Sequence, residues 1–83
     1  MNSPEWLTVR NGFIKPGIDP QTWMVTLDGH PQYRLFATPA GGVFTCAIFQ
    51  SNNGKRLDGG KTYPTVEAAL AGGLDELRER LGW

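Results

Sequence analysis

Eighty-three residues make one domain with a thin core, and the 40% hydrophobic content with nine aromatics is too high for a disordered chain. Eight basic and eight acidic residues cancel, which argues against a strongly basic nucleic-acid binder, although a local patch is compatible with neutrality. The single cysteine, Cys46, excludes an intrachain disulfide framework, and no apolar run approaches the ~18 residues of a membrane span.

The N-terminus, MNSPEWLTVRNGF, has neither a basic nor an apolar leader region, so the expected compartment is the cytoplasm. Residues 1–4 are expected to fray. Trp6 to Arg10 (WLTVR) alternates like a strand. Asn11-Gly12 and then Phe13-Ile14-Lys15 follow, which predicts a hairpin, because a type I′ turn needs positive φ at both central residues. Pro16 to Pro20 is a connector. Thr22 to Asp28 (TWMVTLD) is a strand with Trp23, Val25 and Leu27 on one face and Met24 and Thr26 on the other. Asp28-Gly29-His30-Pro31 is turn chemistry.

Gln32 to Thr38 (QYRLFAT) is the next strand, with Tyr33, Leu35 and Ala37 opposed to Arg34 and Phe36. After a turn at Pro39-Ala40-Gly41-Gly42, Val43 to Gln50 (VFTCAIFQ) is apolar on both faces and is the expected central strand. Ser51-Asn52-Asn53-Gly54 turns the chain again. Lys55 to Leu57 starts a return strand, which Asp58-Gly59-Gly60 bulges or breaks before Tyr63.

The best-defined element comes last. Thr65 is the natural N-cap, with Pro64 discouraging helix upstream and Glu67 in the first turn. Val66, Leu70, Leu74, Leu77 and Leu81 form one apolar stripe, and Gly82 stops the helix. Asp75, Glu76, Arg78, Glu79 and Arg80 fill the other side, with Glu76–Arg80 and Asp75–Arg78 spaced as ion pairs. Gly72 and Gly73 interrupt the pattern, and close packing on a sheet is the expected reason. The sum is an α+β domain: a small antiparallel sheet of three to five strands with one C-terminal helix packed on one face. The other face is then solvated, covered by the N-terminal segment, or used as an interface.

Catalytic chemistry finds little support. One His and one Cys give no metal-ligand spacing. A Cys46–His30 pair would need a reactive thiol in an apolar strand, where thiols are usually inert. Gly59-Gly60-Lys61-Thr62 resembles the tail of a phosphate-binding loop, but the first glycine of that motif is replaced by Lys55 and Tyr63-Pro64 delays the helix. No catalytic residue, metal or cofactor is assigned. The expected role is non-enzymatic: a protein-interaction or self-associating module, with a protein partner or a homodimer, no membrane, and Trp23, Tyr33 and Phe49 as the interaction face. The alternative is a nucleic-acid-binding module using Arg34, Lys55, Arg56 and Lys61.

Tyr63, Thr65, Glu67 and Ala69, at alternate positions, resemble the strand-to-helix junction of small β-β-β-α DNA-binding modules, such as plant AP2 domains and the arm-binding domains of some phage-type integrases. Tyr33-Arg34 resembles the aromatic-Arg start of an earlier strand in these families, and three strands before one helix are also similar to the latter part of double-stranded-RNA-binding domains. The resemblance covers about the last fifty residues. It implies a three-stranded sheet against a helix, and a nucleic-acid partner read by strand residues, for which Arg34, Lys55 and Arg56 are the available cations. The chain also has the general look of short bacterial proteins.

Overall fold

The computed structural model describes residues 3–57 and 60–83. The strands are β1 (Gly12–Pro16), β2 (Thr22–Leu27), β3 (His30–Pro39), β4 (Phe44–Gln50) and β5 (Thr62–Tyr63), and they form an antiparallel meander in the order β1-β2-β3-β4-β5. A short helical turn, α1 (Glu5–Thr8), precedes the sheet and the long helix α2 (Val66–Leu81) follows it. The domain is therefore α+β with α2 packed on one sheet face, as the sequence pattern predicts.

Paired residues in neighbouring strands share a face, so the register sorts the side chains. Val25, Tyr33, Leu35, Ala37, Cys46 and Ile48 face α2 and are buried with Ala69, Leu70, Leu74 and Leu77. Thr65 caps α2 as expected: its Oγ1 accepts from the Ala68 N–H at 3.1 Å. Gly82 ends the helix in the left-handed region at φ 72°.

The glycine pair in α2 has the packing role expected of it. A Cβ built on Gly73 would overlap the Cys46 thiol, and one on Gly72 would overlap the Tyr63 ring. The helix thus lies on β4 and β5 at backbone distance. Gly41 and Gly42 both take positive φ in the β3–β4 turn, so two of the three Gly-Gly pairs have distinct local reasons. The third pair includes Gly59, which lies outside the described residues, as does Asp58.

Four expectations are corrected. Residues 6–10 are not a strand: Glu5–Thr8 is helical, with the Leu7 and Thr8 N–H groups bonded to the Pro4 carbonyl, both at 3.0 Å. Leu7 is fully buried in the core, and Trp6 packs against Trp83 with ring centroids 6.2 Å apart. Five residues of alternation are too few to outweigh that tertiary anchoring. Asn11-Gly12 is accordingly no hairpin turn. Asn11 does take positive φ (56°), but it ends the helical segment, and Gly12 opens β1 where a Cβ would strike Leu7 and Leu27.

His30 and Pro31 belong to β3, not to a turn. The hairpin turn is the two-residue Asp28-Gly29, with φ of 53° and 80°, the type I′ signature. Glu76 is buried (5% exposed), although its spacing places it with the solvent-facing charges.

The return segment is also discontinuous. Arg56 makes one bridge to Phe49, and the Leu57 N–H reaches the Ile48 carbonyl at 2.9 Å before β5 resumes the pairing. Among the described residues no helix is long and apolar enough to cross a membrane.

Candidate functional site

Among the described residues, no element covers the sheet face opposite α2. The first helical turn does not reach it, because α1 sits on the helix side with Leu7 in the core and Arg78 of α2 over the Trp6 ring at 5.8 Å. The register aligns one row of side chains straight across this open face: Lys15 pairs with Met24, Met24 with Arg34, Arg34 with Phe49, and Phe49 with Arg56. Cations thus alternate with Met24 and Phe49. At ~4.8 Å between strands, successive cations stand about 10 Å apart.

A second row, Thr22–Phe36–Ala47, lies two residues away along β3. The Phe36 and Phe49 rings meet edge-to-face with centroids 5.7 Å apart, and the Arg56 guanidinium lies 5.5 Å from the Phe49 centroid. Both phenylalanines are half-buried, whereas Arg34, Lys55 and Arg56 are exposed. Beside Phe36 a depression of about 150 Å³ is bordered by Ile18, Asp19, Met24 and Arg34. The Asp19 carboxylate there is engaged by the Gln21 N–H and the Thr22 hydroxyl, both at 2.9 Å.

The aromatic set expected as an interaction face divides between the two sides of the sheet. Tyr33 is buried beneath α2, and Trp23 packs against the core on that same side. Burial pushes the Tyr33 phenol above its ordinary pKa. Phe49 alone lies on the open face. Sequence reasoning missed Phe36 as its neighbour. The available signal was its alternation with Leu35 and Ala37 and its sharing a side with Arg34, which marks the solvent-facing set.

The basic set fares differently. Arg34 and Arg56 both border Phe49, Lys55 precedes Arg56 in the loop, and Lys61 is exposed immediately before β5. Lys15, at the β1 end of the row, was not in that set.

Other constellations lead elsewhere. Cys46 is a buried thiol under Gly73, while exposed His30 pairs opposite Leu27 at the far end of β3. Cys46 lies opposite Ala37, seven residues along that strand, so the two groups stand about 20 Å apart and cannot act as a pair. Gly60-Lys61-Thr62 leads into β5 and not into a helix. Tyr63 is raised above its ordinary pKa by burial first and then by the carboxylate of buried Glu76 and by Cys46. These groups sit at the α2–sheet contact. Among the described residues no group of three or more His, Cys, Asp or Glu is placed to hold a metal.

No family model matches the chain, and neither a curated protein nor a solved structure matches it significantly.

Proposed function

We propose that this chain is a non-enzymatic binding module that receives a macromolecular partner on its open sheet face. One observation carries the reading: the row Lys15–Met24–Arg34–Phe49–Arg56 runs across the face that no element among the described residues covers. Half-buried Phe36 and Phe49, with Met24 and the 45%-exposed Phe13, give that face apolar surface beyond what the core requires.

The sheet edges are poorer docking sites. At the β1 edge the Ile14 N–H is held by the Ser3 hydroxyl at 2.8 Å, and Pro16 has no N–H to offer. The opposite edge, β5, is two residues long. Self-association by stacking open faces is also disfavoured. The row itself contains no Asp or Glu, so a second copy would set Lys15, Arg34 and Arg56 against like charges, and the Asp19 carboxylate at the border of the face is already engaged within its own turn.

The test is a comparative capture from cell lysate with Phe36→Ser/Phe49→Ser and with Arg80→Gln on α2. Bound protein and bound nucleic acid are both quantified. The reading expects material retained by the wild type and Arg80→Gln to be lost from the double variant, which keeps its far-UV circular dichroism. Identical captured material on all three would sink it.

A further inference from the structure

We infer that the occupant of the open face is single-stranded nucleic acid, with bases stacked at Phe36 and Phe49 and phosphates at Lys15, Arg34 and Arg56. This inference rests on the binding-module reading and names its partner.

Charge distribution is the first argument. Five of the eight carboxylates, Glu5, Glu67, Asp75, Glu76 and Glu79, lie on the two helices. Five of the eight cations, Lys15, Arg34, Lys55, Arg56 and Lys61, lie on the sheet strands or the segment between β4 and β5. The strands and the connections between them also hold three carboxylates, Asp19, Asp28 and Asp58, and α2 holds two cations, Arg78 and Arg80, so a chain with no net charge leans basic on its sheet side and acidic on its helical side. Asp19 borders the open face, but its carboxylate is held within its own turn. Such a division orients an anionic partner toward the sheet and away from α2.

The alternation within the row is the second argument. A polyanionic strand laid across β1 to β4 meets a cation about every 10 Å, with Met24 and Phe49 between them and Phe36 alongside. Aromatic rings interleaved with cations match a chain that alternates phosphate and base. The Arg56 guanidinium lies over the Phe49 ring, and the same planar group can cover a base stacked beside it.

Strandedness follows from the rings. A duplex keeps its base faces inside the stack, so Phe36 and Phe49 would gain nothing from it beyond phosphate contacts, whereas an unpaired base offers both faces. An acidic peptide would satisfy the cations but brings a planar ring only where it carries an aromatic residue, whereas every nucleotide brings one beside its phosphate.

The experiment is fluorescence anisotropy with labelled twelve-residue single-stranded DNA and RNA of mixed sequence and with the corresponding DNA duplex. Wild type should bind the single strands at least about tenfold more tightly than the duplex. Neutralising three to four phosphates gives a log–log salt slope of roughly −2 to −3, so affinity should fall about twenty- to fifty-fold between about 50 and about 200 mM salt. Phe36→Ala and Phe49→Ala should each weaken single-strand binding roughly five- to hundred-fold, since each removes one stacked base. Arg34→Gln and Arg56→Gln replace exposed side chains and keep the inference testable if a phenylalanine variant fails to fold. Each should flatten the salt slope by about 0.7.

Binding of neither single strand at the lower salt, or equal affinity for single strand and duplex with no effect of the phenylalanine changes, overturns the inference. If that failure accompanies loss of a captured protein from Phe36→Ser/Phe49→Ser, the binding-module reading stands and its partner is a protein. If the captured material is also unchanged, both readings fall.

Discussion

Replacing Gly73 by alanine tests how closely α2 lies on the sheet. In an exposed helix interior the change is stabilising by ~1 kcal/mol, because glycine has more backbone freedom to lose. Here the new methyl would overlap the Cys46 Sγ and stand 2.7 Å from its Cβ, with Leu35 Cδ2 at 3.5 Å. Carbon atoms pack at roughly 3.5–4.0 Å, so α2 must retreat by about 1 Å or Cys46 must leave its rotamer. Overpacking of this kind costs about 1–3 kcal/mol.

Opposed by the gain in helix propensity, the expected net effect of Gly73→Ala is a loss of up to ~2 kcal/mol. In a domain of this size that lowers Tm by up to roughly 15 °C. Urea denaturation followed by far-UV circular dichroism and tryptophan fluorescence measures it. Exposed Ala71→Gly is the propensity control, with an expected loss of ~1 kcal/mol.

Cys46→Ala removes the sulfur while keeping Cβ, so the double variant should recover part of the loss, with a coupling of about 1 kcal/mol. Gly72→Ala should stay within ~1 kcal/mol of wild type, because the half-exposed Tyr63 ring can swing aside. A Gly73→Ala variant more stable than wild type would refute the close-packing argument.

Two further outcomes are expected. Thr65→Ala should destabilise by ~1 kcal/mol in the same denaturation assay, through loss of the hydroxyl that accepts from Ala68, while Thr65→Ser should keep most of that stability; equal losses from both would assign the effect to something other than the cap. Both tyrosines have phenol pKa values raised above the ordinary 10.0, so their contribution to stability is fully present below that value and is lost as pH rises through the folded-state values. The phenolate absorbance of the native protein should therefore titrate at higher pH than in denaturant, and Tyr63→Phe should reduce the alkaline loss of stability; coincident titrations would contradict the burial.

Some of this architecture was legible in the chain because it is local. The Thr65 cap, the apolar stripe from Val66 to Leu81 and the Gly82 stop determine α2 through its own backbone donors and helical period. Residues 22–28, 32–38 and 43–50 read as strands whose alternation sorts their side chains into two sets, and the strands formed are Thr22–Leu27, His30–Pro39 and Phe44–Gln50. Of the candidate site, the cations Arg34 and Arg56 were visible, as was Phe49.

Which set faces the core was a tertiary decision. Both sides of β4 are apolar and both sides of β3 carry an aromatic, so local chemistry is nearly symmetric between the faces. Where α2 lies breaks that symmetry: it buries Tyr33 and leaves Phe36 and Phe49 together in the open. Leu7 and Trp6 draw residues 5–8 into a helical turn against α2, overriding a short alternation that reads as a strand. Glu76 is buried although its spacing matches the charged side of α2. Periodicity assigns a residue to one side of its own element, and only packing decides whether that side meets solvent.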